Sequence, residues 1–189
     1  MATMKKLDLF WRHSNCGIAT KIHVAEAVLR AKLLYGLESA QLIPSVLKRL
    51  ETFQLKVLRK IFKLDTTYVN RENTNETVFR QANEKLAEEG GRKKTVTTFI
   101  EAYKRQKRKR ACNIIRNPGS PIHKVSFRGD DLGKWIHRNR RVGRPRMNWT
   151  EETVKEIWDY IKQDSDRYKY TAFNQDNTEI INLRKEYAA

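Results

Sequence analysis

Between residues 92 and 146 the chain carries eighteen lysines and arginines against three acids, Glu101, Asp130 and Asp131, a net charge of +15. The rest of the sequence holds 21 bases and 19 acids, a net of only +2. A stretch this basic repels itself unless anions neutralise it. Its excess is local, as a binding element requires and a general solubility device does not. Over the whole chain, 189 residues with a net charge of +17 and a pI near 10.0 favour polyanionic partners and oppose self-association. Nucleic acid is the expected partner class. An apolar content of 39% is enough for a modest core, so the chain does not read as a disordered tail.

The densest part of the basic region is Lys104-Arg105-Gln106-Lys107-Arg108-Lys109-Arg110, preceded by Arg92-Lys93-Lys94 and followed by Arg116. Further on stand Arg138, Arg140, Arg141, Arg144 and Arg146. Phosphate-backbone contact is the reading this pattern supports, with a solvated helix face that doubles as an import signal as the alternative. Gly143-Arg144-Pro145-Arg146 has the extended Arg-Pro character that can lie in a narrow minor groove, which opens a route to duplex DNA; otherwise Pro145 only stiffens the approach to the next helix. Trp135 is placed to stack on an exposed base or, in the plainer reading, to pack.

Hydrophobic spacing predicts a mainly helical protein. From Thr20 to Tyr35, Ile22, Ala25, Val28, Leu29 and Leu33 recur at three- and four-residue intervals, and Gly36 supplies the residue that tolerates a left-handed helix end. A second helix after Pro44, with Ser45 as N-cap, aligns Leu47, Leu50, Phe53, Val57, Leu58 and Ile61. A third starts at Asn73, in capping-box spacing with Glu76, carries Val78, Phe79, Ala82 and Leu86, and stops at Gly90-Gly91. The basic run occupies the middle of a fourth, from about Val96 to Arg116, whose inward residues are Phe99, Ile100, Tyr103, Ile114 and Ile115 and whose stop is Asn117-Pro118-Gly119. Residues 118–148 read as an extended Arg/Pro/Gly-rich arm with strand-like Ile122, Val125 and Phe127. Thr150 then caps a helix with Val154, Ile157, Trp158 and Ile161 inward, and a last short helix is expected near Thr178 to Tyr187.

Other function classes find little support. Cys16 and Cys112 stand far apart, and two cysteines cannot make the disulfide framework of a small secreted domain; no apolar run approaches the length of a membrane span. The first residues lack a secretory signal, whereas Lys5, Lys6 and Arg12 among apolar neighbours leave a mitochondrial presequence open. Asp130-Asp131 has the look of a polymerase carboxylate pair, but two-metal chemistry needs a third carboxylate and no partner motif is visible. His13, Cys16 and His23 match no zinc spacing. No cofactor is implied.

Taken in order, Leu33-Leu34-Tyr35-Gly36-Leu37-Glu38, then Leu50-Glu51-Thr52-Phe53-Gln54 with Leu58-Arg59-Lys60-Ile61, then the basic helix from Arg108 to Arg116, then Arg141-Val142-Gly143-Arg144-Pro145-Arg146-Met147-Asn148-Trp149, resemble a known region. It is the thumb and post-palm segment of reverse transcriptases from non-LTR retrotransposons, matched over roughly residues 5–63 and 103–160. The family's basic helix commonly has a Gly-His pair where this chain has Cys112-Asn113, so no role of that histidine carries over. The resemblance implies a chain that begins where the palm has ended, lacks the metal-binding aspartates, does not polymerise by itself, and grips RNA or an RNA/DNA hybrid. The expected organisation is a thumb-like helical bundle (1–91), a basic helix (92–117), an extended arm (118–148) and a C-terminal helical segment (149–189). Two other readings stand beside it: a structural RNA-binding component of a large ribonucleoprotein such as a ribosome, and a protein-interaction remnant whose charge serves nuclear import. The expected localisation is nuclear or ribonucleoprotein-associated, with a mitochondrial one left open.

Overall fold

The computed structural model describes residues 2–89, 95–117, 119–128, 131–135 and 149–163. As expected from the periodicity, these residues are mainly helical. The chain divides into two compact units, Met1–Tyr35 with Leu42–Ala102, and Gly36–Gln41 with Tyr103–Ala189. The division falls inside the basic helix and assigns the turn after Tyr35 to the second unit, whereas charge alone drew its boundaries at residues 91 and 117.

In the first unit, α1 (Ala2–Lys6) and α2 (Asp8–His13) lead into α3 (Ile18–Val24), which continues through a π-helical stretch, Ala25–Arg30, into α4 (Ala31–Leu34). Gly36 then takes φ 75°, the left-handed conformation anticipated for the helix stop. Helix α5 (Pro44–Phe62) starts two residues earlier than a Ser45 cap would place it. Ile43 is the N-cap and Pro44 the first helical residue, because proline has no N–H to leave unsatisfied and its fixed φ already suits a helix. The helix ends where Lys63 turns left-handed at φ 57°.

Helix α6 (Asn75–Glu88) is capped by Thr74, whose hydroxyl accepts from Thr77 N at 3.2 Å, not by Asn73. Asn73 is buried and serves the preceding loop instead: its side chain donates to Asp65 O at 3.0 Å and its own carbonyl accepts from Arg59 Nη2 at 3.1 Å. Thr74→Ala is expected to cost about 1 kcal/mol. The urea midpoint should fall with an unchanged slope if only the cap is lost.

One apolar core organises this unit. Trp11 (1% exposed), Ile22, Leu29, Leu58, Ile61, Val78 and Leu86 meet in it, with Phe53, Phe79 and Val96 packed against its margin. Trp11 and Met4 make the N-terminal helices part of the core, which a stretch read as a possible targeting peptide did not announce. Lys21 is buried for a local reason, since its ammonium donates to Trp11 O at 3.0 Å and satisfies a carbonyl at the end of α2. Gly17 has a tight neighbour: a Cβ there would come within 2.6 Å of Glu89 Oε2, while Glu89 Oε1 accepts from Ala19 N at 3.3 Å in the first turn of α3. A carboxylate from α6's end thereby supplies the N-terminal acceptor that α3's own sequence lacks.

The extended arm expected from residue 118 begins instead with helix α8 (Pro121–Ser126), followed by a short antiparallel pairing of β1 (Phe127–Arg128) with β2 (Asp131–Trp135). Ile122 and Val125, read as strand-like, are helical and exposed; Ser120 Oγ accepts from His123 N at 3.1 Å and Pro121 opens the helix, a start signal that outweighs β-branching. Helix α9 spans Trp149–Gln163, so Thr150 is its second residue rather than its cap. The helix expected near 178–187 lies outside the described residues, as do Gly90 and Gly91.

Candidate nucleic-acid interface

Helix α7 (Phe99–Ile115) carries the basic run, and its first turn is set by three side chains of the first unit. Asn83 Oδ1 accepts from Val96 N at 2.8 Å and Glu26 Oε1 from Thr97 N at 3.2 Å. Gln54, 3% exposed, donates to Thr97 O at 2.9 Å and accepts from Phe99 N at 2.8 Å. Four backbone groups entering the helix are thus satisfied by polar side chains drawn from elsewhere, and Phe99 stacks obliquely on Phe53 with ring centres 6.5 Å apart. Nothing in the periodicity of Glu26, Gln54 or Asn83 marks them out, because buried polar side chains become legible only with their partners.

Within the second unit the run is split between two faces. Tyr103, Lys107, Arg108, Ala111, Cys112, Ile114 and Ile115 are buried. Tyr103 donates its hydroxyl to Ala40 O at 2.7 Å. Lys107, with a side chain 0% exposed, donates to Gln41 Oε1 and pairs with Glu156 Oε2 at 3.1 Å. Burial pushes its ammonium below the usual lysine range, against the pull of the Glu156 carboxylate. Arg108, 5% exposed, lies with its guanidinium carbon 4.2 Å from the centre of the Tyr160 ring, in cation–π range. Trp149 Nε1 donates to Glu38 O at 3.0 Å, and Ala111, Cys112, Ile114 and Ile115 form a small core with Val154 and Ile157 of α9.

Two of the six bases in the run are therefore interior groups, and the phosphate-facing role read for Lys107 and Arg108 gives way to a packing role. The reason is the helical period: residues 103, 107, 111 and 114 share one side, so Lys107 falls on the apolar stripe whatever its charge. On the opposite side Arg105, Lys109 and Arg116 are exposed, with Lys104 and Arg110 half-buried at the margins. At 100° per residue the three exposed bases lie within about 40° of one another, over about 16 Å of helix axis. They form a single outward stripe.

The remaining expected contacts fall elsewhere. Arg92, Lys93, Lys94, Arg138, Arg140, Arg141, Arg144 and Arg146 lie outside the described residues. So does the side chain of Trp135, whose backbone is in β2. Asp130 is also outside, and Asp131 opens β2. His13, Cys16 and His23 are all exposed, and among the described residues no three His, Cys, Asp or Glu side chains gather into a cluster able to hold a metal.

A second basic surface was not anticipated. In the first unit the end of α5 and helix α2 border an open groove of about 890 Å³. It is lined by Arg12, Lys56, Arg59, Lys60 and Lys63 against Asp8 and Asp65, with His13, Thr52, Thr66 and the apolar Met4 and Leu64. Asp8 is occupied twice, by Lys60 at 2.6 Å and by Arg12 at 2.9 Å, and the Lys60 hydrogen bond holds its carboxyl below the usual range. The whole-segment charge count hid this surface, since acids on other elements, Glu76, Glu84 and Glu88 of α6 among them, balance it in a running sum.

No family model, curated protein or solved structure is significantly similar to this chain.

Proposed function

We propose that this chain is a non-catalytic nucleic-acid-binding protein, RNA being its first substrate class, that holds phosphate backbone along the exposed stripe of α7 and the basic segments flanking it. The observation that carries the reading is the outward stripe of Arg105, Lys109 and Arg116, set in a region of net +15. Buried contacts on the other side of the helix, from Tyr103, Lys107 and Arg108, hold the helix that carries the stripe in a fixed orientation within the second unit, so binding does not have to order its backbone. The sequence resemblance to the thumb and post-palm region of non-LTR reverse transcriptases supports the same reading and makes an RNA/DNA hybrid a natural competitor of RNA. Duplex DNA enters through Gly143-Arg144-Pro145-Arg146.

The test is filter binding of single-stranded RNA, duplex DNA and hybrid across a salt series. If about six to ten phosphates are neutralised, affinity falls by about 10³–10⁵ between about 50 and 200 mM salt. Salt-independent binding, or none, would leave import as the only use of the charge. Nuclease-sensitive cosedimentation with ribosomal subunits would instead place the chain in a ribonucleoprotein. Incubation with nucleic acid and Mg²⁺ or Mn²⁺ is expected to give neither extension nor cleavage, because Asp130-Asp131 has no third carboxylate in the sequence around it. Activity lost on changing both to Asn would overturn that expectation.

A further inference from the structure

The groove between α2 and the end of α5 lies apart from the α7 stripe on which the function proposed above rests, yet its chemistry is specific. Asp8 pairs with both Arg12 and Lys60, leaving that triad a net charge of about +1, and Arg59 commits Nη2 to Asn73 O and to Asn75 Oδ1 at 2.9 Å. Lys56 and Lys63 remain exposed, with no ion pair among the described residues. The chain leaves this rim through Asp65 and Thr66 into a turn in which Val69 N and Asn70 N both donate to Thr66 O at 3.0 Å. At its tip Tyr68 is 97% exposed and Val69 69%. An aromatic ring left this bare by its own unit, two residues beyond a basic groove, has no packing role there. Bare rings beside cationic grooves are what unstacked bases use.

We propose that this groove is a second nucleic-acid contact, selective for single-stranded polynucleotide, with phosphates against Lys56 and Lys63 and a base stacked on Tyr68. The inference deepens the function proposed above by naming the strand form that the first unit takes. A duplex presents its bases already stacked and gains only the electrostatic part. A single strand gains both.

The experiment is fluorescence anisotropy of a short oligouridine and of an RNA duplex of equal length, with the full chain and three variants. The first combines Lys56→Gln with Lys63→Asn, asparagine being chosen because Lys63 has φ 57°. The second is Tyr68→Ala, and the third carries Arg105→Gln, Lys109→Gln and Arg116→Gln. All changed residues are exposed, and an unchanged circular dichroism spectrum checks each fold. The groove variant is expected to lose about 10- to 30-fold in oligouridine affinity at about 0.1 M salt, with the salt slope flattened by about 1.4. Tyr68→Ala is expected to lose about 5- to 150-fold for oligouridine and to leave the duplex unchanged. Parent-like binding by the groove variant, or equal losses on both probes for Tyr68→Ala, overturns the inference. A stripe variant that binds like the parent, beside a groove variant that does not, defeats the function proposed for α7 and leaves this inference standing.

Discussion

Changing Arg105, Lys109 and Arg116 together to glutamine is expected to lower affinity for a nucleic-acid duplex by about 10²–10³-fold at about 0.1 M salt, and to flatten the logarithmic salt slope by about 2.7. Each base that meets a phosphate releases a condensed counterion, so the loss is an entropy of ion release and scales with salt in a known way. Phosphate contacts carry no sequence information, so the loss should be the same for unrelated sequences. Changing Lys107 alone to methionine should leave affinity and slope close to the parent's, because its ammonium is 0% exposed and already engaged with Gln41 and Glu156. Lys107 and Lys109 stand two residues apart in one run of like charge, so opposite outcomes at the two positions would separate helix geometry from local charge density. Equal losses at both would mean that α7 presents a different face to its partner.

The second large effect concerns stability. Glu156→Ala is expected to destabilise the second unit by about 3 kcal/mol, the low end for breaking a buried pair, because it strands the Lys107 charge in the interior while the 33% exposure of Glu156 keeps some water at the site. Lys107→Met should be near neutral or stabilising, since it removes the desolvation cost and keeps a straight apolar stem on the same stripe. The pH dependence follows from the direction of the shift. Folding lowers the Lys107 pKa below the ordinary lysine value of 10.5, so through the window between the folded value and 10.5 the unfolded chain binds more protons. Stability contributed by this residue therefore rises with pH across that alkaline window, and in Lys107→Met the rise should disappear. Urea denaturation of parent and variant at neutral pH and near pH 10 measures both effects. A parent whose stability falls over that range for reasons traced to Lys107 would reverse the sign and remove burial as the dominant influence.

Local chemistry was enough to mark most of the helices. Ile22, Ala25 and Leu29, then Leu50, Val57, Leu58 and Ile61, then Val78, Ala82 and Leu86 are all buried as their spacing foretold. The left-handed turn at Gly36 was equally legible, because the permissive residue stands where the apolar pattern stops. Boundaries were less secure wherever two residues competed for one role. Ile43 and Pro44 displaced Ser45 at the start of α5, and Thr74 displaced Asn73 as the cap of α6, since Asn73 found partners in Asp65 and Arg59, 8 and 14 residues before it in sequence.

What the sequence determined by itself is the inventory: the amphipathic stripes, the stops, and a concentration of positive charge that no core could absorb as a whole. Which of those charges face outward was a tertiary decision. Lys107 and Arg108 are chemically equivalent to Lys109 and Arg110 in a linear reading; the helical period puts Lys107 on the apolar stripe, and packing of the second unit brings Glu156, Gln41 and Tyr160 to the two interior bases. The groove beside α5 was invisible for the complementary reason. Its bases come from α2 and α5, about fifty residues apart in sequence, while most of the acids that cancel them in a running count belong to other elements such as α6. Charge counts sum along the chain, whereas a phosphate responds to what lies within a Debye length of about 10 Å in space, and only the folded structure supplies that distance.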